Sequence, residues 1–259
     1  MRRGHAGRLA GTPRDLDAPT VVIVHGAWVD ATDWRDVIAL LQAKGLSVIA
    51  VQSPLSSLAD DVDAVTRAVN HQAGPIVLVG HGYGGTVMTQ AGNHPRVAAL
   101  VYVAAYAPNS GESTADTQND YLPSPCVAGF EVDAGGFLYL AQDAVPEFLA
   151  HDLPAADNRI LAAAQKPIRA SALLDRVTAA AWHCKPVWYV VTEEDRMIAP
   201  ALQREFATRI GATVHVLRSG HLPFLSRPKE TADAILAAVE FTCGQARSSA
   251  SIAAPCGRE

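Results

Sequence analysis

The segment "PIVLVGHGYGGTVMTQAG", residues 75–92, gives the clearest indication of the fold. It begins with an apolar run that predicts a buried strand. It continues through the glycine-rich turn "GHGYG" at residues 80–84 and ends in a segment that predicts a helix. A strand that leads through a tight turn into a helix is the repeating unit of a parallel α/β sheet. We therefore expect the turn to lie at the carboxyl end of a strand, where such sheets bind their ligands.

The rest of the chain alternates strand-like and helix-like segments, which predicts a mainly parallel sheet with helices on both faces. The other predicted strands are "TVVIVHG" (20–26), "LSVIAVQSP" (46–54), "RVAALVYVAAYAP" (96–108), "KPVWYVVTEED" (185–195) and "ATVHVLRSGH" (212–221). Between about 108 and 180 the alternation stops, and proline, glycine and short helical patterns predict an inserted helical cap. We expect one α/β domain over residues 19–243, between a flexible leader (1–18) and a flexible tail (244–259).

Composition predicts a folded domain and excludes several classes of protein. The chain has 259 residues, of which 49% are hydrophobic and 18% charged, with a net charge of −5. No basic stripe predicts nucleic-acid binding, no apolar run is long enough for a membrane span, and the leader lacks the apolar segment of a signal peptide. The cysteines show neither paired nor metal-type spacing, which predicts reduced thiols in a cytoplasmic protein: Cys126, Cys184, Cys243 and Cys256. The sequence leaves open whether the protein forms a homo-oligomer.

The turn at residues 80–84 matches a nucleophile elbow, G-x-S-x-G, in every position except the serine. In that motif the serine lies on a strained turn between strand and helix, where its hydroxyl is exposed. Gly82 stands in the serine's place, so the chain has no side chain there that could form an acyl-enzyme. The same letters also satisfy the dinucleotide fingerprint G-x-G-x-x-G. That reading requires an acidic residue at the end of the next strand, where this chain has "VAAYAP", so we do not favour it.

Two further residues occupy the positions of a catalytic acid and base. Where a nucleophile elbow is present, the acid and the histidine follow it in that chain order. Asp195 comes after the strand "VWYVV", and His221 comes after the last predicted strand. Each alone would be an ordinary loop residue, but both at the right strands in the right order predict an Asp–His pair. Glu193 and Glu194 are rivals for the acid, and Asp195 is preferred because it directly precedes the apolar turn "MIAP".

Backbone and pocket residues can be assigned from the same pattern. In proteins with a nucleophile elbow, two backbone N–H groups stabilise the oxyanion. One comes from the loop after an early strand of the sheet, here the first, and the other from the residue after the nucleophile. These positions predict Ala27 and Tyr83 as the oxyanion hole, and Trp28, Tyr83 and Leu222 as walls of an apolar pocket. His81 is expected to pack beside the elbow.

Several blocks resemble one family closely: "VVIVHGAWVDATDW", "VQSPLSSLADDV", "LVGHGYGGTV", "YVAAYAPNSGES" and "SGHLPFLSRPKE". They are similar to small bacterial, esterase-like α/β-hydrolases related to plant methylesterases and hydroxynitrile lyases, over residues 20 to 242. The resemblance implies the α/β-hydrolase fold, a cap over the site, a small ester, lactone or carbonyl substrate, and no cofactor. Members of the family carry G-H-S-Y-G-G, so the departure is the single residue Gly82.

Three interpretations of Gly82 remain open from the sequence. The chain is a serine hydrolase whose serine was replaced, or an enzyme in which His221 and Asp195 act as a general base without a nucleophile. The third is a small-molecule binding protein on a hydrolase scaffold. The retained Asp195–His221 pair weighs against the third interpretation, because binding alone does not require it.

Overall fold

The computed structural model describes residues 19–119, 121 and 124–252. Its central sheet has six strands that all pair in parallel. They are β1 (Thr20–Val24), β2 (Val48–Val51), β3 (Ile76–Gly82), β4 (Val97–Ala105), β8 (Val187–Thr192) and β9 (Thr213–Leu217). The order across the sheet is β2-β1-β3-β4-β8-β9, so β3 and β4 lie at its centre. This arrangement confirms the predicted α/β fold.

Helices cover both faces of the sheet because their apolar residues recur on one side. Their bounds are α1 (Arg35–Ala43), α2 (Leu58–Asn70), α3 (Tyr83–Ala91), α5 (Pro200–Arg209), α6 (Pro223–Ser226) and α7 (Pro228–Ile252). Strands β1 and β3 are buried along their whole length, and β8 likewise, whereas the edge strand β9 is partly exposed. The hydrophobic core therefore surrounds the central strands and holds in place their carboxyl ends, where the site lies.

The inserted cap contains strands as well as helices, which corrects the expectation of a purely helical cap. Strands β5 (Phe130–Val132), β6 (Phe137–Leu140) and β7 (Ile168–Arg169) form a small antiparallel sheet beside helix α4 (Ala155–Ala164). These strands have two to four residues each, too few for a clear alternating pattern. The signal that could have revealed them is the turn "DAGG" (133–136), in which the Asp133 carboxylate accepts hydrogen bonds from the Gly135 and Phe137 N–H groups.

The termini differ in part from the expectation. Helix α7 continues to Ile252, whereas the sequence predicted its end near residue 243 and a flexible tail from 244. The predicted leader and residues 253–259, including Cys256, lie outside the described residues. Within the described part of the chain, no helix combines the length and the apolar composition needed to cross a membrane.

Candidate active site

The carboxyl ends of the central strands meet below the cap, and a cavity of about 100 Å³ lies between them. Ala27 follows β1, Gly82 ends β3, and His221 follows β9. The cavity is lined by these three residues and also by Trp28, Tyr83 and Tyr106, among others. The structure therefore brings the predicted elbow, oxyanion-hole residues and histidine to one place.

Asp195 and His221 form a buried hydrogen-bonded pair. His221 Nδ1 donates to Asp195 Oδ2 at 2.8 Å, and both side chains are almost inaccessible to solvent. Four other groups donate to the same carboxylate: Met197 N–H, Ile198 N–H, Thr192 Oγ1 and Gln203 Nε2. Burying a carboxylate is costly unless it is hydrogen-bonded, and five donors offset that cost here. With Nδ1 as the donor, neutral His221 carries its free lone pair on Nε2.

The rival acids lie elsewhere. Glu193 accepts a hydrogen bond from Arg204 at 2.7 Å, and Glu194 accepts one from Arg218 at 2.8 Å. Both ion pairs are on the surface, where such pairs contribute little to stability. The contact predicted for Asp195 is thus present, and neither glutamate competes for the histidine.

Gly82 keeps the backbone conformation of a strained elbow. Its φ of 53° and ψ of −122° lie in a region that favours glycine. A Cβ atom built on Gly82 would lie 3.4 Å from His221 Nε2, an ordinary van der Waals distance. His221 Nε2 has no hydrogen-bond partner among the described residues. The base nitrogen therefore faces the space that a side chain at position 82 would occupy.

The neighbouring glycines are explained by packing inside the protein. A Cβ atom at Gly84 would lie 2.3 Å from the Val24 carbonyl oxygen, and one at Gly85 would lie 2.3 Å from the Tyr106 carbonyl oxygen. Both distances are too short for any side chain, so helix α3 must carry glycine there to approach β1 and β4. The glycine-rich pattern needs no bound phosphate to account for it, which agrees with the weak case for a dinucleotide site.

Two buried histidines hold the loops around the site. His81 Nε2 donates to the main-chain carbonyl of His221 at 2.9 Å, and complete burial holds the pKa of His81 well below its usual range. The packing role expected for His81 therefore includes fixing the loop that carries His221. His25 Nδ1 donates to the Gly26 carbonyl, and its Nε2 accepts the Ser53 N–H at 3.1 Å. Burial lowers the pKa of His25 to about 4, so it stays neutral and keeps the turn before Ala27 in place.

The predicted oxyanion-hole residues have suitable positions. Ala27 and Tyr83 both line the cavity, and Tyr83 is the first residue of α3. The N–H groups in the first turn of a helix have no intrahelical acceptor, and they also carry the positive end of the helix dipole. The Tyr83 N–H is therefore suited to a negatively charged oxygen.

Of the two predicted pocket residues beyond the elbow, one lines the cavity and one does not. Trp28 lines it, lies 5.2 Å from Phe130 between ring centroids, and donates its indole N–H to the Leu138 carbonyl in the cap. Leu222 is fully buried and is not part of the cavity wall, which corrects the prediction. Its carbonyl oxygen instead accepts hydrogen bonds at the start of α6.

Sequence reasoning missed the residues that the cap and the strand ends contribute. Cys126, Phe130 and Met197 line the cavity, and Tyr106 does so from the end of β4. The cap also contacts the loop that carries His221, since the Asp152 carboxylate accepts the Gly220 N–H at 2.7 Å. Only Tyr106 carried a usable signal, because it ends a predicted strand next to the elbow strand. No group of three or more metal-ligating side chains is found in the described ranges.

Comparison with known proteins gives the class of this protein. The alpha/beta hydrolase family matches residues 21–234, and the chain belongs to that family. A protein of Phoma sp. that carries the name "Probable hydrolase R7" is 28% identical over 85% of this chain and 98% of its own length. Methylesterase 2 of Arabidopsis thaliana is 22% identical over 86% of this chain and 96% of its own length, which confirms the predicted relationship to plant methylesterases.

Solved structures agree on the fold. The crystal structure of polyneuridine aldehyde esterase superposes with a TM-score of 0.76 and 19% identity, over 85% of this chain and 99% of that chain. At this identity the likeness shows the shared fold alone.

Proposed function

We propose that this protein is an esterase-like enzyme that needs no cofactor and hydrolyses a small ester or lactone with His221 and Asp195 as a general base. The reaction would proceed without an acyl-enzyme, because Gly82 offers no atom that could form one. The observation that carries the proposal is His221 Nε2, which faces the space above Gly82 while its Nδ1 is bound to a fully hydrogen-bonded carboxylate.

The steps follow from these positions. A water above Gly82 gives a proton to His221 Nε2 as its oxygen attacks the carbonyl carbon. The carbonyl oxygen becomes an oxyanion and accepts hydrogen bonds from the Ala27 and Tyr83 N–H groups. The intermediate then collapses, and the imidazolium returns the proton to the departing alkoxide. Asp195 stabilises the imidazolium and keeps the ring oriented throughout.

The character of the cavity and the relatives support an ester as substrate. No Asp, Glu, Lys or Arg side chain lines the cavity, and Trp28 and Phe130 give one wall an aromatic surface. Such a lining suits a neutral, compact molecule. A protein named as a methylesterase is among the similar chains.

A second candidate is a serine hydrolase that carries glycine in place of its serine. The observation that favours it is the elbow backbone, which keeps φ at 53° and leaves room for a Cβ atom 3.4 Å from His221 Nε2. In that case the unaltered protein would retain only the small rate that backbone donors and binding supply.

One experiment tests the proposal. The purified protein is incubated with a panel of small esters and lactones, while product formation and the intact protein mass are both followed. We expect turnover without any acyl adduct on the protein. An adduct would contradict the noncovalent route, and binding without turnover of any substrate would favour a binding protein.

A further inference from the structure

The cavity contains a second polar group that the mechanism above does not use. Tyr106 follows β4, lines the cavity with Gly82 and His221, and is partly exposed. Its hydroxyl makes no hydrogen bond to any described residue. Two other hydroxyls of the wall are bound, Thr114 Oγ1 to Thr86 Oγ1 and Ser124 Oγ to the Arg196 carbonyl. The Tyr83 hydroxyl is fully buried beside Asp61 and is not accessible from the cavity. Tyr106 is therefore a wall hydroxyl that is left for a ligand.

The position of Tyr106 is fixed on the elbow. Its main-chain N–H donates to the Gly82 carbonyl at 3.1 Å, and its ring packs edge-on against Phe206 at 6.3 Å between centroids. The strand order then sets its side of the site, because β1 and β4 flank β3 on opposite sides. Ala27 follows β1, so Tyr106 and Ala27 lie on opposite flanks of Gly82.

Because they lie on opposite sides of Gly82, Ala27 and Tyr106 can contact different atoms of a bound substrate. A substrate carbonyl oxygen bound by the Ala27 and Tyr83 N–H groups directs the other substituents of its carbon away from β1. In an ester or lactone, one of those substituents is the alkoxy oxygen, which can then point toward β4. Resting on the proposed function, we propose that the Tyr106 hydroxyl is a catalytic hydrogen-bond donor to the alkoxy or ring oxygen of the substrate.

The phenol acts as a donor and keeps its proton. Burial raises the pKa of Tyr106 well above its usual range, and the nearby Cys126 and Asp195 raise it further. As the carbon–oxygen bond breaks, the alkoxy oxygen gains charge and takes a proton from the His221 imidazolium. Tyr106 stabilises the charge on that oxygen by its hydrogen bond, and it ends the step as a neutral phenol.

The test removes one oxygen from the protein and one from the ligand. Tyr106→Phe deletes the hydroxyl and keeps the ring that packs on Phe206. Tyr139→Phe deletes a hydroxyl of the cap that does not line the cavity, and it serves as the matched control. The ligand pair is δ-valerolactone and cyclohexanone, in which a methylene replaces the ring oxygen. Dissociation constants are measured by NMR titration in the His221→Ala protein, and hydrolysis of the lactone is measured with His221 in place.

We expect Tyr106→Phe to weaken lactone binding about three- to tenfold, as for the loss of one hydrogen bond, and to leave cyclohexanone binding within about twofold. It should also lower kcat for the lactone by about 100-fold, the size seen when one preorganised donor is removed. Tyr139→Phe should change none of these values. Equal weakening of both ligands, or unchanged lactone binding and kcat, would overturn the inference.

The same experiment separates this inference from the proposed function. If the protein hydrolyses no lactone, yet Tyr106→Phe weakens lactone binding alone, the proposed function is wrong and the contact with the ring oxygen stands. If the protein hydrolyses the lactone and Tyr106→Phe changes neither binding nor kcat, the proposed function stands and the inference about Tyr106 is wrong.

Discussion

The Asp195–His221 half of the site and the Gly82 half differ in how completely their polar atoms are bound. Asp195 accepts five hydrogen bonds, and His221 is held at both Nδ1 and its main-chain carbonyl. At Gly82 there is only backbone, with open space between the glycine and His221 Nε2. The His221 ring is therefore positioned by Asp195, which Thr192 and Gln203 support, and its orientation does not depend on a serine hydroxyl.

Two buried aspartates show the same contrast. Asp195 is compensated by its donors, whereas Asp61, below the elbow residue Tyr83, accepts a hydrogen bond from the Leu55 N–H. Burial raises the pKa of Asp61 to about 6, with the Leu55 N–H and the Tyr83 hydroxyl acting in the opposite direction. Burial of the charged Asp61 carboxylate therefore destabilises the folded protein near Tyr83, whereas hydrogen bonds offset the burial of Asp195.

The greatest change in hydrolysis rate is expected when a serine replaces Gly82. Gly82→Ser places a hydroxyl within reach of His221 Nε2 and should raise hydrolysis of 4-nitrophenyl acetate by about 10³-fold or more, because losing such a nucleophile costs about 10⁶ in kcat. The variant should also be labelled by a fluorophosphonate. Gly82→Ala carries the same Cβ atom and the same backbone strain without a hydroxyl, so it should gain neither property. A folded Gly82→Ser that stays unlabelled and inactive would show that the dyad is not a competent base.

The next effect tests why the elbow glycines are needed. Gly84→Ala puts a Cβ atom 2.3 Å from the Val24 carbonyl and 2.8 Å from the His25 carbonyl, so β1 and α3 must separate. We expect a loss of about 3 kcal/mol in the free energy of unfolding, measured by urea denaturation. The control is Gly244→Ala, where a Cβ atom on α7 meets nothing within 4 Å. Equal stability of the two variants would contradict the packing account.

A pH-dependent effect is expected from Asp61. Its pKa is higher in the folded protein than in the unfolded chain, so the folded state gains stability as pH falls from about 6 toward 4 and lacks that gain above about 6. Asp61→Asn removes this dependence. Between pH 4 and pH 8 the stability of the variant relative to the native protein should rise by about 2 kcal/mol, allowing for partial screening. Asp63→Asn, on the exposed side of the same helix, should not show this rise, and a flat difference for Asp61→Asn would refute the effect.

A smaller change in kcat is expected when a hydrogen-bond donor to Asp195 is removed. Gln203→Leu removes one of the donors to Asp195 and should lower kcat about tenfold with little change in KM, because it loosens the support of His221 and touches no substrate. Arg204→Gln breaks only the exposed pair with Glu193 and should leave kcat unchanged. If both variants behave alike, Gln203 does not help to position the dyad.

The sequence predicted the sheet and the dyad because both are encoded locally. Apolar runs mark β1, β3, β4 and β8, and the positions after the strands place Asp195 and His221. Asp195 and His221 can meet because β8 and β9 are adjacent parallel strands whose carboxyl ends lie at the same edge of the sheet.

The features that the sequence did not predict depend on tertiary contacts, which leave no local sequence pattern. The cap strands are too short for a period, Leu222 turns into the core at the start of α6, and Tyr106 reaches the cavity only because β4 lies beside the elbow. Likewise, the role of His25 depends on its bond to Ser53, which is remote in sequence.

If His221 acts as the base while Gly82 is in place, removing the His221 imidazole should abolish most of the turnover. The value of kcat/KM is measured from pH 5 to 9 for the native protein and for His221→Ala, with the best ester or lactone of the panel. We expect His221→Ala to lower kcat/KM by about 100-fold or more and to remove the acid limb of the pH profile. Activity of His221→Ala within twofold of the native value, with the same pH profile, would contradict it.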